Sequence, residues 1–230
     1  MFDRRHRAAR ILGTLAVGLV LTTAAGPRPG EAAAQQLPET WDGLVLRPSS
    51  RVDAVYVQPG AGLGQYDTVM LDDADVSFSK DWDPNRGERG VKRVTPADIG
   101  KIRADLAALL REIFTEELGK GGYRVVDEPG ETTLLVRPAI VDLYINAVEG
   151  SAPGRTYAYT AEAGRMTLVL ELRDSATGDV IARAIDRSRA RQSGMITMSS
   201  RNTNVAEARR MLTRWADLLT QALDEAHGKE

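Results

Sequence analysis

Ser77 and Lys80 stand at the S-x-x-K spacing, in which a Lys one helical turn from a Ser helps to deprotonate it for attack. That chemistry needs a helix under the pair and S-D-N and K-T-G partners. Here the tetrad closes a strand-like stretch and the partners are absent from the chain, so the spacing is read as coincidence. Asp81, Asp83 and Asn85 imitate the first three ligands of an EF-hand loop, but Arg86 stands where that loop needs Gly and Lys92 where it needs a bidentate Glu. A solvated acidic loop is expected instead, with no metal. Gly60, Gly62 and Gly64 form G-x-G-x-G, yet a strand and not a helix follows, so no helix N-terminus awaits a phosphate and a flexible turn is predicted. Asp72, Asp73 and Asp75 supply carboxylates. Glycoside hydrolysis needs two of these facing each other across a cleft, and three on one strand read first as a polar face.

Basic residues give the strongest remaining signal. Arg183, Arg187, Arg189 and Arg191 fall on alternate positions of a predicted strand and so share one face. Guanidinium forks pair bidentately with carboxylate and phosphate, which makes this row a candidate contact for an anionic partner. The plainer reading is a solvated sheet face, or charges guarding an edge strand. Trp82, Tyr157 and Tyr159 lie in or beside long loops, where rings stack on sugars or peptides or else cover the end of a core.

Composition limits the alternatives. The chain has no Cys, and its two His are His6 and His227. Ser-His-Asp and Cys-His nucleophile systems, His-rich zinc sites and thiol chemistry are all excluded on that count. His227 stands three residues from the C-terminus, where chains commonly fray. No catalytic residue and no cofactor is expected. Net charge is −2, and residues 1–34 carry five Arg against Asp3 and Glu31, so the remainder is more acidic still. Nucleic-acid binding ordinarily needs a basic domain and is not expected.

Elements follow from local pattern. Arg4, Arg5, Arg7 and Arg10 precede an apolar run over 11–25, and Ala32, Ala33 and Ala34 offer small residues for cleavage, which predicts an export signal over 1–34 cut after Ala34. The run is shorter than the about 20 residues a spanning helix requires, so no transmembrane span is expected after cleavage. A Pro- and Gly-rich lead-in over 35–64, expected to be flexible, holds two short extended pieces, 44–46 and 54–57; a strand over 66–78 opens a single domain over 65–230. Thr95, Pro96 and Asp98 give a helix entry. The stripe Ile99, Ile102, Leu106, Leu109 and Ile113, widened by Leu110, Phe114 and Leu118, carries that helix to Gly119, Gly121 and Gly122.

A short strand at 123–126 and a long one at 132–146, apolar on both faces, come next. Residues 166–173 and 180–191 flank the Asp174 to Asp179 turn as a β-hairpin. A last helix opens at Asn204, with Ala208, Leu212, Trp215, Leu219, Ala222 and Ala226 on its buried side. The expected fold is therefore α+β: a mixed, mainly antiparallel sheet with two amphipathic helices packed on it, in the order strand, helix, four strands as two hairpin-like pairs, helix.

Specific residues add a family likeness. Trp41, Asp42, Gly43 and Leu44 come first, then Tyr66 leading into Val69, Met70, Leu71 and Asp72 and on to Phe78 and Trp82. The run Leu134, Leu135, Val136, Arg137, Pro138, Ala139, Ile140, Val141, Asp142 and Leu143 follows, and then the turn Asp174, Ser175, Ala176, Thr177, Gly178 and Asp179. In this order and spacing they resemble DUF3313, a bacterial envelope lipoprotein family of unknown function. The family's members are typically lipidated through a Cys at the cleavage site; this chain has none, so the resemblance implies an unanchored periplasmic or secreted form. The element order is also similar to periplasmic domains of penicillin-binding-protein activators and of the curli-secretion lipoprotein, a likeness of fold alone. The expected role is a non-catalytic, exported envelope protein that binds an envelope protein or an anionic envelope component, as an accessory or assembly factor. The alternatives are a carboxylate-dependent hydrolase of cell-wall or polysaccharide glycans, and a structural subunit that self-associates through a sheet edge.

Overall fold

A computed structural model describes residues 37–85, 93–145, 164–189 and 201–229. Five strands precede the first helix: β1 (Thr40–Trp41), β2 (Leu44–Arg47), β3 (Ala54–Val57), β4 (Thr68–Leu71) and β5 (Asp75–Phe78). Then come α1 (Pro96–Lys120), β6 (Arg124–Val126), β7 (Thr133–Tyr144), β8 (Arg165–Asp174), β9 (Val180–Arg189) and α2 (Arg201–Ala226). One mixed sheet runs β1-β2-β3-β9-β8-β7-β4-β6, with β5 also paired to β7. Its β1 to β3, β3 to β9 and β7 to β9 ladders are antiparallel, while β4 and β5 run parallel to β7 and β4 parallel to β6. The α+β class, the mainly antiparallel sheet and the two helices are as expected.

The first helix starts where its sequence dictates. The Thr95 hydroxyl accepts from the Asp98 N–H at 3.2 Å, and an Asp98 carboxylate oxygen accepts from the Thr95 N–H at 2.9 Å, closing a capping box ahead of Pro96. Leu110, Phe114 and Leu118, expected only to widen the apolar stripe, are its fully buried centre. In α2 the buried side is Met211, Leu212, Trp215, Ala216, Leu219 and Leu223, and Ala226 is exposed. That helix begins at Arg201, three residues before the predicted entry. Both helices pack in one core with Val69, Leu134, Val136, Ile140 and the row Met166, Leu168, Leu170 and Leu172. The row is buried throughout because alternate residues of β8 face the helices.

Several expectations are corrected by long-range pairing. The strand predicted over 66–78 is broken into β4 and β5, which pair one after the other with the same edge of β7. Pro138 stands opposite the break. An internal strand tolerates proline badly because it lacks a ladder donor, and here β4 has ended at Leu71 with Val136 while β5 starts at Asp75 with Ala139. The two hairpin-like pairs expected among the last four strands reduce to one meander, β7-β8-β9, because β4 lies between β6 and β7. Residues of the 35–64 lead-in supply β1, β2 and β3, with β3 laid against β9 from Ala54 to Val57. Strand β9 is consequently internal over that length, and the edge-guarding reading of its arginines does not apply there.

On the sheet face away from the helices, Leu44, Ala54 and Tyr56 form a second small core with Trp41, Leu46, Val180 and Ile185. Asp42 and Gly43, at φ 51° and 84°, make the two-residue turn of the β1-β2 hairpin; both positive values suit an Asp-Gly pair. His227, expected to fray, is instead part-buried against Tyr123, with its Nδ1 2.8 Å from the Leu223 carbonyl. Among the described residues no helix is long and apolar enough to cross a membrane.

A basic cleft as candidate functional site

The predicted binding residues divide sharply. Arg183 is enclosed. Its Nη1 donates to Asp42 and its Nε to Glu171, both at 2.6 Å, its guanidinium carbon lies 4.6 Å from the centre of the Trp41 ring, and its side chain is only 12% exposed. Burial pushes the Glu171 carboxyl up, but hydrogen bonds from Arg183 and Arg173 outweigh it and hold the group below the ordinary value. The Trp41, Asp42, Gly43 segment thus serves to hold Arg183 on the sheet. Trp82 is also committed: its ring stacks on Phe78 at 3.9 Å between centroids, and its Nε1 donates to the Ile145 carbonyl at 2.9 Å. Arg189 is described through its backbone, which pairs with Arg165. Arg191, Tyr157 and Tyr159 lie outside the described residues.

Arg187 is different. Its side chain is exposed and, among the described residues, its guanidinium has no ion-pair partner. It lies at a place that only the tertiary fold creates. Strand β3 stops at Ala54, opposite Ile185, so the next residues of β9 lose that neighbour. The Asp53 carboxylate takes over the ladder's role by accepting from the Arg187 N–H at 2.9 Å. Between this end of β9, the 49–53 loop and α2 opens a cleft of about 380 Å³, lined by Arg187, Arg51, Arg210 and Arg214 against Asp53 and Asp186.

Asp186 anchors the back of this cleft. It is 5% exposed, accepts from Trp215 Nε1 at 2.7 Å and pairs with Arg214 Nη1. Arg214 Nη2 also donates to the Arg51 carbonyl, so one guanidinium ties α2 to the strand and to the loop. Arg51 in turn pairs with Glu225, and Arg210 with Glu207. Ser49 rounds the loop, its hydroxyl accepting from the Arg51 and Val52 N–H groups at 3.2 and 3.3 Å. Among the described residues, the row of arginines read from β9 contributes Arg187 to the lining, and the other lining arginines come from α2 and the loop. The spacing of Arg210 and Arg214 on one helical face is a legible signal for part of it. Arg51 offers none.

The carboxylates are dispersed. Asp72 pairs with Arg137 of β7 and Asp73 with Arg111 of α1, so each is held by its own arginine. Asp81 pairs with Arg165. Among the described residues, Asp217 stands as an acid pair with Glu117, where burial and then the Glu117 charge push the Asp217 carboxyl up. It belongs to the α1-α2 contact and does not line the cleft.

A family model described as "Protein of unknown function (DUF3313)" matches residues 34–219. Among curated proteins none matches the sequence. Of solved structures, the PelC dodecamer from Paraburkholderia phytofirmans is similar at 13% identity and a TM-score of 0.35, covering 70% of this chain and 95% of that one. Protein XCC0632 from Xanthomonas campestris, of the family DUF330, is similar at 15% identity and a TM-score of 0.39, covering 75% and 91%. A DUF4136 family protein from Bacteroides thetaiotaomicron is similar at 12% identity and a TM-score of 0.34, covering 80% and 98%.

Proposed function

The chain belongs to the DUF3313 family of proteins of unknown function, so its role has to be read from its own surface, and we propose that it is an exported envelope protein that works by binding an anionic partner. The observation that carries this reading is the exposed Arg187 of β9, whose guanidinium has no ion-pair partner among the described residues, beside a cleft lined by Arg51, Arg210 and Arg214. Arginines meet carboxylate and phosphate oxygens in a planar fork, and a cleft removes part of the competing water. Export rests on the basic head, the short apolar run and the Ala32 to Ala34 stretch of the leader. A protein of this kind assists or assembles a larger envelope machine without itself making or breaking bonds.

Two measurements test the reading. Cell fractionation with N-terminal sequencing is expected to find the chain outside the cytoplasm, beginning at Gln35. Capture of partners from an envelope extract is expected to be lost when Arg187 is changed to Glu. A cytoplasmic chain retaining Met1, or the same partners captured by both forms, would count against it.

A further inference from the structure

We propose that the sheet face away from the helices is a dimer interface, on which Arg187 meets Asp75 of a second copy of this chain. This rests on the reading of Arg187 as the contact for an anionic partner and names that partner. An apolar band outside both cores is the first observation. Val126, Met70, Leu135, Ala139, Val141 and Val169 share that face across β6, β4, β7 and β8, are half-buried, and pack in neither core. Charge decides what covers it. Arg187 of β9 stands in a row with Thr167 of β8 and Val141 of β7, and Asp75 of β5 lies beside Ala139, one row away. Both are exposed, and among the described residues neither side chain has an ion-pair partner. The row on the other side of Ala139 has the same polarity: Arg183 of β9, Glu171 of β8, Arg137 of β7 and Asp72 beside it alternate in sign across the face. A row of that kind is its own complement. A two-fold axis lying along the strands between β8 and β7 sets β9 of one copy over β4 and β5 of the other, so that Arg187 faces Asp75, Arg183 faces Asp72 and Glu171 faces Arg137. The same operation lays Val169 over Ala139 and Val141. Arg187 and Asp75 are three strand spacings apart across the sheet, about 14 Å, with the axis midway. Stacked sheets lie about 10 Å apart, a gap that an arginine and an aspartate reaching toward each other span. An anionic small molecule or lipid surface would suit Arg187 and repel Asp75, whereas a second copy satisfies both.

The test is the mass in solution of the chain expressed in full and purified as the cell leaves it, followed by sedimentation equilibrium over a range of concentrations. The parent is expected to sediment as a dimer. Arg187→Glu and Asp75→Arg are each expected to weaken the dimer by about tenfold or more, with the circular dichroism spectrum unchanged, because each sets like charges against one another at both symmetric contacts. Mixing the two variants in equal amounts is expected to restore dimer mass. In the mixed pair both contacts join opposite charges, which a merely misfolded variant could not supply. A parent that is monomeric at every concentration, a dimer indifferent to both substitutions, or variants that stay apart when mixed overturns the proposal. If Arg187→Glu still abolishes partner capture from an envelope extract in that event, the anion-binding reading survives with a different partner. A dimer that behaves as expected while capture is indifferent to Arg187→Glu keeps the interface and removes the external partner.

Discussion

Trp215 Nε1 donates a 2.7 Å hydrogen bond to Asp186 Oδ2, joining the centre of α2 to a strand residue at the back of the cleft. Both residues are buried, and the same carboxylate oxygen meets Arg214. This one carboxylate therefore ties α2, through Trp215 and Arg214, to β9.

Asp186→Ala leaves the buried indole N–H without an acceptor, whereas the Arg214 side chain is 42% exposed and regains water. The loss is therefore set by the unsatisfied donor more than by a stranded charge. We expect a cost of about 1–3 kcal/mol in urea unfolding, with a shift in tryptophan emission as the Trp215 environment changes. An unfolding midpoint equal to that of the parent would show that the bond does not hold the helix.

Glu171→Gln removes the carboxylate that both Arg173 and Arg183 meet. The folded-state carboxyl lies below its ordinary value, so its stabilisation is present above the ordinary carboxylate range and is lost as pH falls through the depressed value. The variant should be less stable than the parent at neutral pH by about 1.5–3 kcal/mol, and the gap should close on acidification. A gap that stays constant with pH would contradict the assignment.

Asp217→Asn is expected to act in the opposite sense. Burial and Glu117 raise the Asp217 carboxyl, so the folded state holds its proton more tightly than the unfolded chain and loses stability as pH rises through that window. The Asn variant lacks this loss. It should be the more stable protein at neutral pH and show a flatter dependence of melting temperature on pH between the ordinary carboxylate value and neutrality.

Gly64→Ala should destabilise while Gly62→Ala should not. A Cβ on Gly64 would stand 2.7 Å from the Ala226 carbonyl oxygen, a backbone atom at the end of α2, whereas one on Gly62 meets nothing within 4 Å. The first is expected to cost about 1–3 kcal/mol by overpacking, the second to be neutral or to stabilise by about 0.4–1 kcal/mol through the unfolded chain. Equal melting temperatures for the two variants would refute the close approach. This also gives Gly64, though not Gly62, a structural reason that the spacing did not announce.

What the sequence determined by itself is whatever rests on neighbours within a turn or two of chain. Thr95 and Asp98 are three residues apart, and the helix starts at the entry they predict, which the structure closes with a capping box. The Asp174 turn likewise follows from local bonds: its Oδ1 accepts from the Ala176 and Thr177 N–H groups, and β8 and β9 pair on either side. The apolar stripes of α1 and α2 are periodic and were legible in the same way, with boundary errors such as the Arg201 start. Tertiary structure alone decided which strands became neighbours. The insertion of β4 between β6 and β7, and of β9 between β3 and β8, depends on register between segments more than a hundred residues apart in some cases, as with Tyr56 and Arg183. That register placed Arg183 against Asp42 and Glu171, and it ended β3 opposite Ile185, before it could cover Asp186 and Arg187. Alternation along β9 put Arg183 and Arg187 on one face; only their partners from other strands, the 49–53 loop and α2 made the first a structural tie and left the second exposed.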